Sequence, residues 1–375
     1  MQVDFSVHLE RHPLPAGGYL AQLTLNAPRR LNALTPEMVE LLYRLLLDLR
    51  DDPDAVAVFL DGAGDRAFCS GGDALRMRES ALANPGGPAI EAEAYFAREF
   101  AAAYLIHTFP KPVIVWGNGI VMSSGLGLMV GASHRIVTER SRLSMPEISI
   151  GLFPNVGAGW FLSQMPGGTG LFAGLTGAEL MPADALYAGL ADYCLSSTCK
   201  EALLRELIHL EWCDDAEWNR QQLTERLTDI EADQGIGLGT SFLKTHRRWI
   251  DESCVVDDPL RIERRICRYR GGSDWLRAAS QGLQRGSAST AKLVCRQLQQ
   301  VQTLSLAEVF RMELVLAANR VRDPEFAEGV RARLLDRDRD PRWCYQSVAD
   351  VPDAEIDALF IAPWQDHPLD LLDVL

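Results

Sequence analysis

Apolar and polar residues alternate over residues 3–9 and again over 19–25, the two-residue period of half-buried strands, and residues 13–18 supply a turn between them, so a hairpin is expected. The period then lengthens. Met38, Leu41, Leu42, Leu45, Leu46 and Leu49 fall on one helical stripe, with Thr35 as N-cap and Pro36 at the first helical position. Residues 55–60 read as a short buried strand, followed by a glycine-rich loop over 62–72 and a second helix near 74–80. The order repeats: a helix over 91–107, an apolar strand over 113–116, a loop of glycines and serines over 117–124, a small-residue helix over 125–132 and a strand over 135–138. From about Lys200 the texture becomes charged and amphipathic, with helical spacing over 201–212, 217–230, 288–301 and 306–321. The pattern suggests a division at residues 1–200 and 201–375, with residues 352–375 wrapped on the surface and frayed at the end.

Composition narrows the function classes. In 375 residues, 47% hydrophobic and 23% charged, there is material for a large core and more than one subdomain. The formal net charge of -14 argues against nucleic-acid and membrane partners. The basic run Arg261, Arg264, Arg265, Arg268 and Arg270 leaves Ile262, Ile266 and Tyr269 on another helical face, so it reads as a solvated helix side. Residues 112–131 are the longest apolar stretch, but Asn118, Ser123, Ser124 and five glycines interrupt it, which suits buried core rather than a membrane helix. Residues 1–5 lack the charged-then-apolar pattern of a signal peptide, and a cytoplasmic location is the default expectation. Eight cysteines without a C-x-x-C pair, and seven scattered histidines, point to no metal site and no disulfide framework; Cys69 is expected to serve its loop rather than act as a nucleophile.

The candidate chemistry lies at loop-to-helix junctions. Unsatisfied backbone N–H groups at a helix start carry partial positive charge, and two that converge form an oxyanion hole. Residues 67–73 (Ala-Phe-Cys-Ser-Gly-Gly-Asp) and 118–125 (Asn-Gly-Ile-Val-Met-Ser-Ser-Gly) both have this character, each after a buried strand and before a helix. Residues 145–154 (Met-Pro-Glu-Ile-Ser-Ile-Gly-Leu-Phe-Pro) put Glu147 in a third turn.

Together with Leu31-Asn32-Ala33-Leu34 and Lys111-Pro112, these segments resemble the crotonase superfamily of enoyl-CoA hydratases, isomerases and acyl-CoA hydrolases, in matching order. Ser287-Ala288-Ser289-Thr290, Arg296-Gln297-Leu298, the run 326–332, Asp336-Arg337-Asp338 and Pro341-Arg342-Trp343 extend the resemblance toward the 3-hydroxyisobutyryl-CoA hydrolases. The resemblance implies an α/β fold, a ClpP/crotonase-like ββα spiral core with a C-terminal helical extension. It implies an acyl-CoA substrate, no metal or separate cofactor, and a possible homo-oligomer. Residue by residue, it assigns oxyanion-hole N–H groups to Ser70 and Ser124, the catalytic carboxylate to Glu147, a second catalytic position to Asn155, the acyl pocket to Glu99, and the coenzyme A path to Asp73, Gly71, Arg30, Asn32 and Ala33.

Three departures from the family pattern carry chemical meaning. Ser123 and Ser124 replace a usual Gly-Gly, so a positive φ there would be strained. Gly127 stands where two-carboxylate hydratases have a glutamate, which disfavours adding water across a double bond. Asn155 stands where the hydrolases have aspartate; asparagine hydrogen-bonds a hydroxyl or a water but accepts no proton at neutral pH. The expected activity is hydrolysis of a short, branched or hydroxylated acyl-CoA, with enoyl-CoA isomerisation or hydration, or acyl-CoA binding without turnover, as the alternatives.

Overall fold

A computed structural model describes residues 6–234, 236–254 and 258–374. The hairpin forms from β1 (Val7–Pro13) and β2 (Tyr19–Leu25), antiparallel, with Val7 opposite Leu25. It runs later than the alternation indicates because the turn is tight: the Leu14 N–H donates to the Gly18 carbonyl at 3.1 Å and the Gly17 N–H to Leu14 at 3.1 Å. Residues 3–5 of the expected strand lie outside the described residues. Proline ends β1 without cost to the ladder because β1 is an edge strand.

Each glycine loop turns out to contain a strand of three residues, too short to show a period. The chain runs β3 (Ala55–Gly62), β4 (Ala67–Cys69) and the helix Ala74–Ala83; then β5 (Val113–Gly117), β6 (Ile120–Met122) and the helix Ser124–Val130. It continues with β7 (His134–Thr138), β8 (Arg142–Ser144) and a 3-10 helix Glu147–Ile150, and later adds β9 (Tyr193–Leu195). This is the ββα repeat of the expected spiral. The first strands of the repeats join a six-stranded sheet, β1-β2-β3-β5-β7-β9, parallel from β2 onward, and the second strands form a three-stranded sheet, β4-β6-β8.

The chain divides into two compact units that interleave along the sequence rather than meeting at residue 200. Unit 1 holds residues 1–72, 101–143 and 180–241. Its core joins Phe59, Trp116 and Ile136 of the large sheet to Leu203 and Leu207 of the helix Lys200–Ile208 and to Leu223 and Leu227 of the helix Ala216–Gln234. Residues read as the start of a C-terminal helical part therefore pack on the β-sheet. Amphipathic spacing says that a helix has an apolar side, not which surface covers it.

Unit 2 holds residues 73–100, 144–179 and 242–375. Within it Phe96, Phe100 and Phe310 meet edge to face in sequence, with centroids 6.0 and 6.2 Å apart. The helix Pro259–Cys267 buries Ile262 and Ile266 and leaves Arg261 and Arg264 exposed, the solvated basic face read from its spacing. The last segment is anchored as well as wrapped: Leu369 is buried, and the Trp364 indole N–H donates to Glu93 at 3.2 Å. Among the described residues no helix is long and apolar enough to cross a membrane.

Candidate acyl-thioester site

In unit 1 the two glycine-rich loops run side by side. β4 and β6 pair in parallel, with Ala67 opposite Ile120 and Cys69 opposite Val121. Contact past the strand ends is so close that a Cβ on Gly125 would stand 2.4 Å from the Cys69 carbonyl oxygen, and one on Gly71 would stand 2.7 Å from Ser123 Cβ. Gly71 has φ +107°, and its N–H donates to the Cys69 sulfur at 3.4 Å, so the thiol supports the loop. Ser124 is buried and is the first residue of its helix, where an amide has no partner one turn earlier. No described residue accepts from the Ser124 N–H.

Ser70 does not match its expected role. Its N–H donates to the Leu31 carbonyl at 3.1 Å and is consumed inside the loop. The neighbouring Gly72, half-buried, is bridged to Leu34 through the flanking residues, Leu34 N–H donating to Gly71 at 2.9 Å, and no described residue accepts from its own N–H. Spacing locates the loop to within two residues, whereas the direction of each amide depends on φ and ψ.

The segment before the first helix is a strut. Asn32, buried at φ +53°, accepts the Ala27 N–H through its side-chain oxygen at 2.9 Å and donates to the carbonyls of Ala63 (3.1 Å) and Ala67 (2.8 Å). That use of its carboxamide replaces the expected substrate contact with a structural one. Ala33 is half-buried and its N–H donates to the Arg30 carbonyl at 3.2 Å, while Arg30 ends a 3-10 turn, Pro28–Arg30, on the exposed side.

Ser123 has φ +54° and ψ -128°, the strain that the missing Gly-Gly pair implies. A side chain in such a region costs roughly 1–3 kcal/mol, and replacing it with glycine gives back roughly 0.5–1 kcal/mol through the unfolded chain's extra freedom. Ser123→Gly is expected to stabilise the protein by about 1 kcal/mol. The urea midpoint checks it, and an unchanged or lower midpoint contradicts the strain.

Unit 2 carries the acids. Glu147 opens the 3-10 helix Glu147–Ile150 and is 1% exposed, which excludes a solvated dipole-complementing surface residue. Its turn is closed by Gly151, φ +68°, whose Cβ would stand 2.6 Å from the Glu325 carbonyl oxygen. Asn155 is 2% exposed, in a turn where Val156 has φ +60°. Glu99 is buried and accepts the Tyr95 hydroxyl at 2.6 Å. Asp73 caps the helix Ala74–Ala83, accepting the Arg76 N–H at 3.3 Å.

Residues 20–360 match the family described as enoyl-CoA hydratase/isomerase. The chain belongs to that family. It is 32% identical over 339 residues to the 3-hydroxyisobutyryl-CoA hydrolase, mitochondrial, of Gallus gallus, covering 90% of this chain and 85% of the relative. It is 33% identical over 347 residues to the probable 3-hydroxyisobutyryl-CoA hydrolase 2 of Arabidopsis thaliana, covering 90% and 88%. Among solved structures, a carnitinyl-CoA dehydratase from Mycobacterium thermoresistibile aligns with a TM-score of 0.81 at 28% identity, over 97% of this chain and 98% of that one. An enoyl-CoA hydratase from Rhodobacter sphaeroides aligns at 0.79 and 27%, over 95% and 97%. As a member of the enoyl-CoA hydratase/isomerase family the protein is an enzyme acting on acyl-CoA thioesters. Vertebrate relatives carry "mitochondrial" in their names, so they lend nothing to the cytoplasmic expectation.

Proposed function

We propose that the protein hydrolyses a short acyl-CoA carrying a β-hydroxyl, of the 3-hydroxyisobutyryl-CoA type. What carries this reading is the likeness to hydrolases over about nine-tenths of the chain, helical segments included. The amides of Gly72 and Ser124 hold the thioester oxygen, taking up the negative charge that develops on it as the carbonyl carbon becomes tetrahedral. Glu147 either attacks that carbon, forming a mixed anhydride that water then cleaves to the free acid and the regenerated carboxylate, or directs a water at it; the carbon–sulfur bond breaks, and coenzyme A leaves as thiol with the proton that water supplies. Asn155 hydrogen-bonds the β-hydroxyl and so orients the acyl group. No metal or redox group enters this scheme, because backbone dipoles provide the polarising charge. Self-association, implied by the family resemblance, belongs to the same proposal and is read by light scattering.

The test follows free thiol and conjugated-enoyl absorbance together over a panel of acyl-CoAs. Thiol release supports hydrolysis. A second reading, hydration or isomerisation, is favoured by the names of the full-length structural neighbours and opposed by Gly127, which leaves no second carboxylate at that position. An absorbance change without thiol would favour it, and binding with neither signal would favour a protein that holds acyl-CoA without turnover. Asn155→Asp is expected to raise thiol release by about tenfold or more, since a positioned proton-transfer group is worth roughly 10²–10⁴-fold. An unchanged rate counts against the hydrolase frame.

A further inference from the structure

The turn that carries Asn155 is held from a distance in sequence by a buried acid that the mechanism above does not use. Residues 153–157 enter the helix Ala158–Gln164 through two left-handed residues, Val156 at φ +60° and Gly157 at φ +80°. A β-branched residue rarely adopts that conformation without outside constraint. The constraint comes from the helix Leu306–Val321. Glu313, fully buried, accepts the Gly157 N–H on Oε2 at 2.7 Å and the Gly159 N–H on Oε1 at 2.7 Å. Gln297 in the helix Ala288–Gln300 donates through Nε2 both to the Pro154 carbonyl at 2.9 Å and to Glu313 Oε1 at 3.0 Å. Residue 159 must be glycine for this approach, since a Cβ there would stand 3.0 Å from Glu313 Oε1 and 2.8 Å from Val301.

We infer that Glu313, with Gln297, is a positioning residue that fixes the 154–157 turn and thereby aims the Asn155 carboxamide at the substrate. The inference rests on the role given to Asn155 above. A fully buried carboxyl with glycine amides and a carboxamide as its facing groups is a costly way to gain stability, because removing it from water is opposed by neutral donors alone. It is an effective way to hold backbone, since its two oxygens grip both sides of one helix entrance.

The protonation of Glu313 gives this brace a signature. Burial pushes its carboxyl up to about 8, against the pull of the Gly159 and Gly157 amides, Gln297 and the Ala158 amide, none of which titrates in this range. Ionised, it accepts all three N–H bonds. Protonated, one oxygen becomes an O–H facing an N–H, and a bond is lost. The turn therefore tightens as pH rises through about 8. Stability runs the other way: a carboxyl raised in the folded state contributes most at low pH and loses that contribution as pH rises through its folded value. A purely structural residue would not drive turnover and stability in opposite directions.

The experiment measures kcat and KM for 3-hydroxyisobutyryl-CoA from about pH 6 to about pH 9, bracketing the value of about 8, together with amide hydrogen exchange over residues 153–164. In the wild type kcat is expected to rise through this range. Glu313→Gln, which copies the protonated form, is expected to flatten the profile, lower kcat at high pH by on the order of tenfold with KM little changed, and speed exchange at 153–159. Gln297→Leu, which keeps both glycine bonds, should give a smaller loss and serves if Glu313→Gln fails to fold. In an Asn155→Ala background Glu313→Gln should cost nothing further. Unchanged exchange in both variants overturns the brace, and so does a full Glu313→Gln loss on top of Asn155→Ala. If Asn155→Ala itself leaves kcat untouched, the proposal falls through the role of Asn155 while the exchange data still report the brace.

Discussion

Glu147→Gln is expected to lower thiol release by roughly 10²–10⁴-fold while leaving acyl-CoA binding close to wild type. The side chain is the same size, and at 1% exposure it keeps its place. What is lost is the negative charge that, in the proposed scheme, attacks the thioester carbon or takes a proton from water. In the proposed scheme binding is retained because backbone amides, which the substitution does not touch, hold the carbonyl. Stopped-assay thiol titration and calorimetric binding of a non-hydrolysable thioether analogue measure the two halves. A variant that still turns over at more than about a tenth of the wild-type rate would remove Glu147 from the chemistry, because proton transfer by a placed base is worth more than that.

Arg320→Met is expected to destabilise the protein by about 3–5 kcal/mol, the usual cost of removing one partner of a buried charge pair. Arg320 is 1% exposed and uses its whole guanidinium: Nε donates to the Gly151 carbonyl at 2.7 Å, Nη1 to Asp323 at 2.9 Å, and Nη2 to Ser289 at 2.6 Å and Glu325 at 2.9 Å. The substitution strands Glu325, itself 2% exposed, and frees the carbonyl that ends the Glu147 turn. Burial pushes the Glu325 carboxyl up, but Arg320 and the hydroxyls of Ser287 and Ser289 outweigh burial and hold it below its ordinary 4.5. A depressed carboxyl contributes stability above its unfolded value and loses it as pH falls through the folded one. The gap between wild type and variant should therefore be full at neutral pH and shrink below about 4.5. Urea midpoints at both pH values check it, and Arg320→Met/Glu325→Gln should recover part of the loss. A gap that persists in acid would assign the effect to packing rather than charge.

The same residues show what was legible. Ser287-Ala288-Ser289-Thr290 and Gln297 stood out as a motif by resemblance, yet nothing in their spacing indicated a purpose. In the fold they are the hydroxyls around Arg320 and the carboxamide on the Pro154 carbonyl. Glu313 sits in a helix whose other residues read as ordinary amphipathic positions, and no local signal marks it. It meets Gly157 from 156 positions away in sequence.

Local order determined a good deal without tertiary information. Alternation and caps indicated the hairpin and the first helix, and glycine clusters marked the loops at 67–73 and 118–125, because each of these depends on φ, ψ and hydrogen bonds within a few residues, whereas the turn of Glu147 came from the resemblance. The strain at Ser123 was readable through the resemblance, as a departure from a usual Gly-Gly. Tertiary structure alone decided that the Ser70 amide is spent on Leu31, that Asn32 braces rather than binds, that the helices Lys200–Ile208 and Ala216–Gln234 cover the large sheet, and that Glu313 grips the Asn155 turn. Those outcomes turn on which donor finds which acceptor across tens to hundreds of residues. One-dimensional patterning records which face of an element is apolar, and carries no record of the partner that will satisfy a particular amide or acid once water is gone.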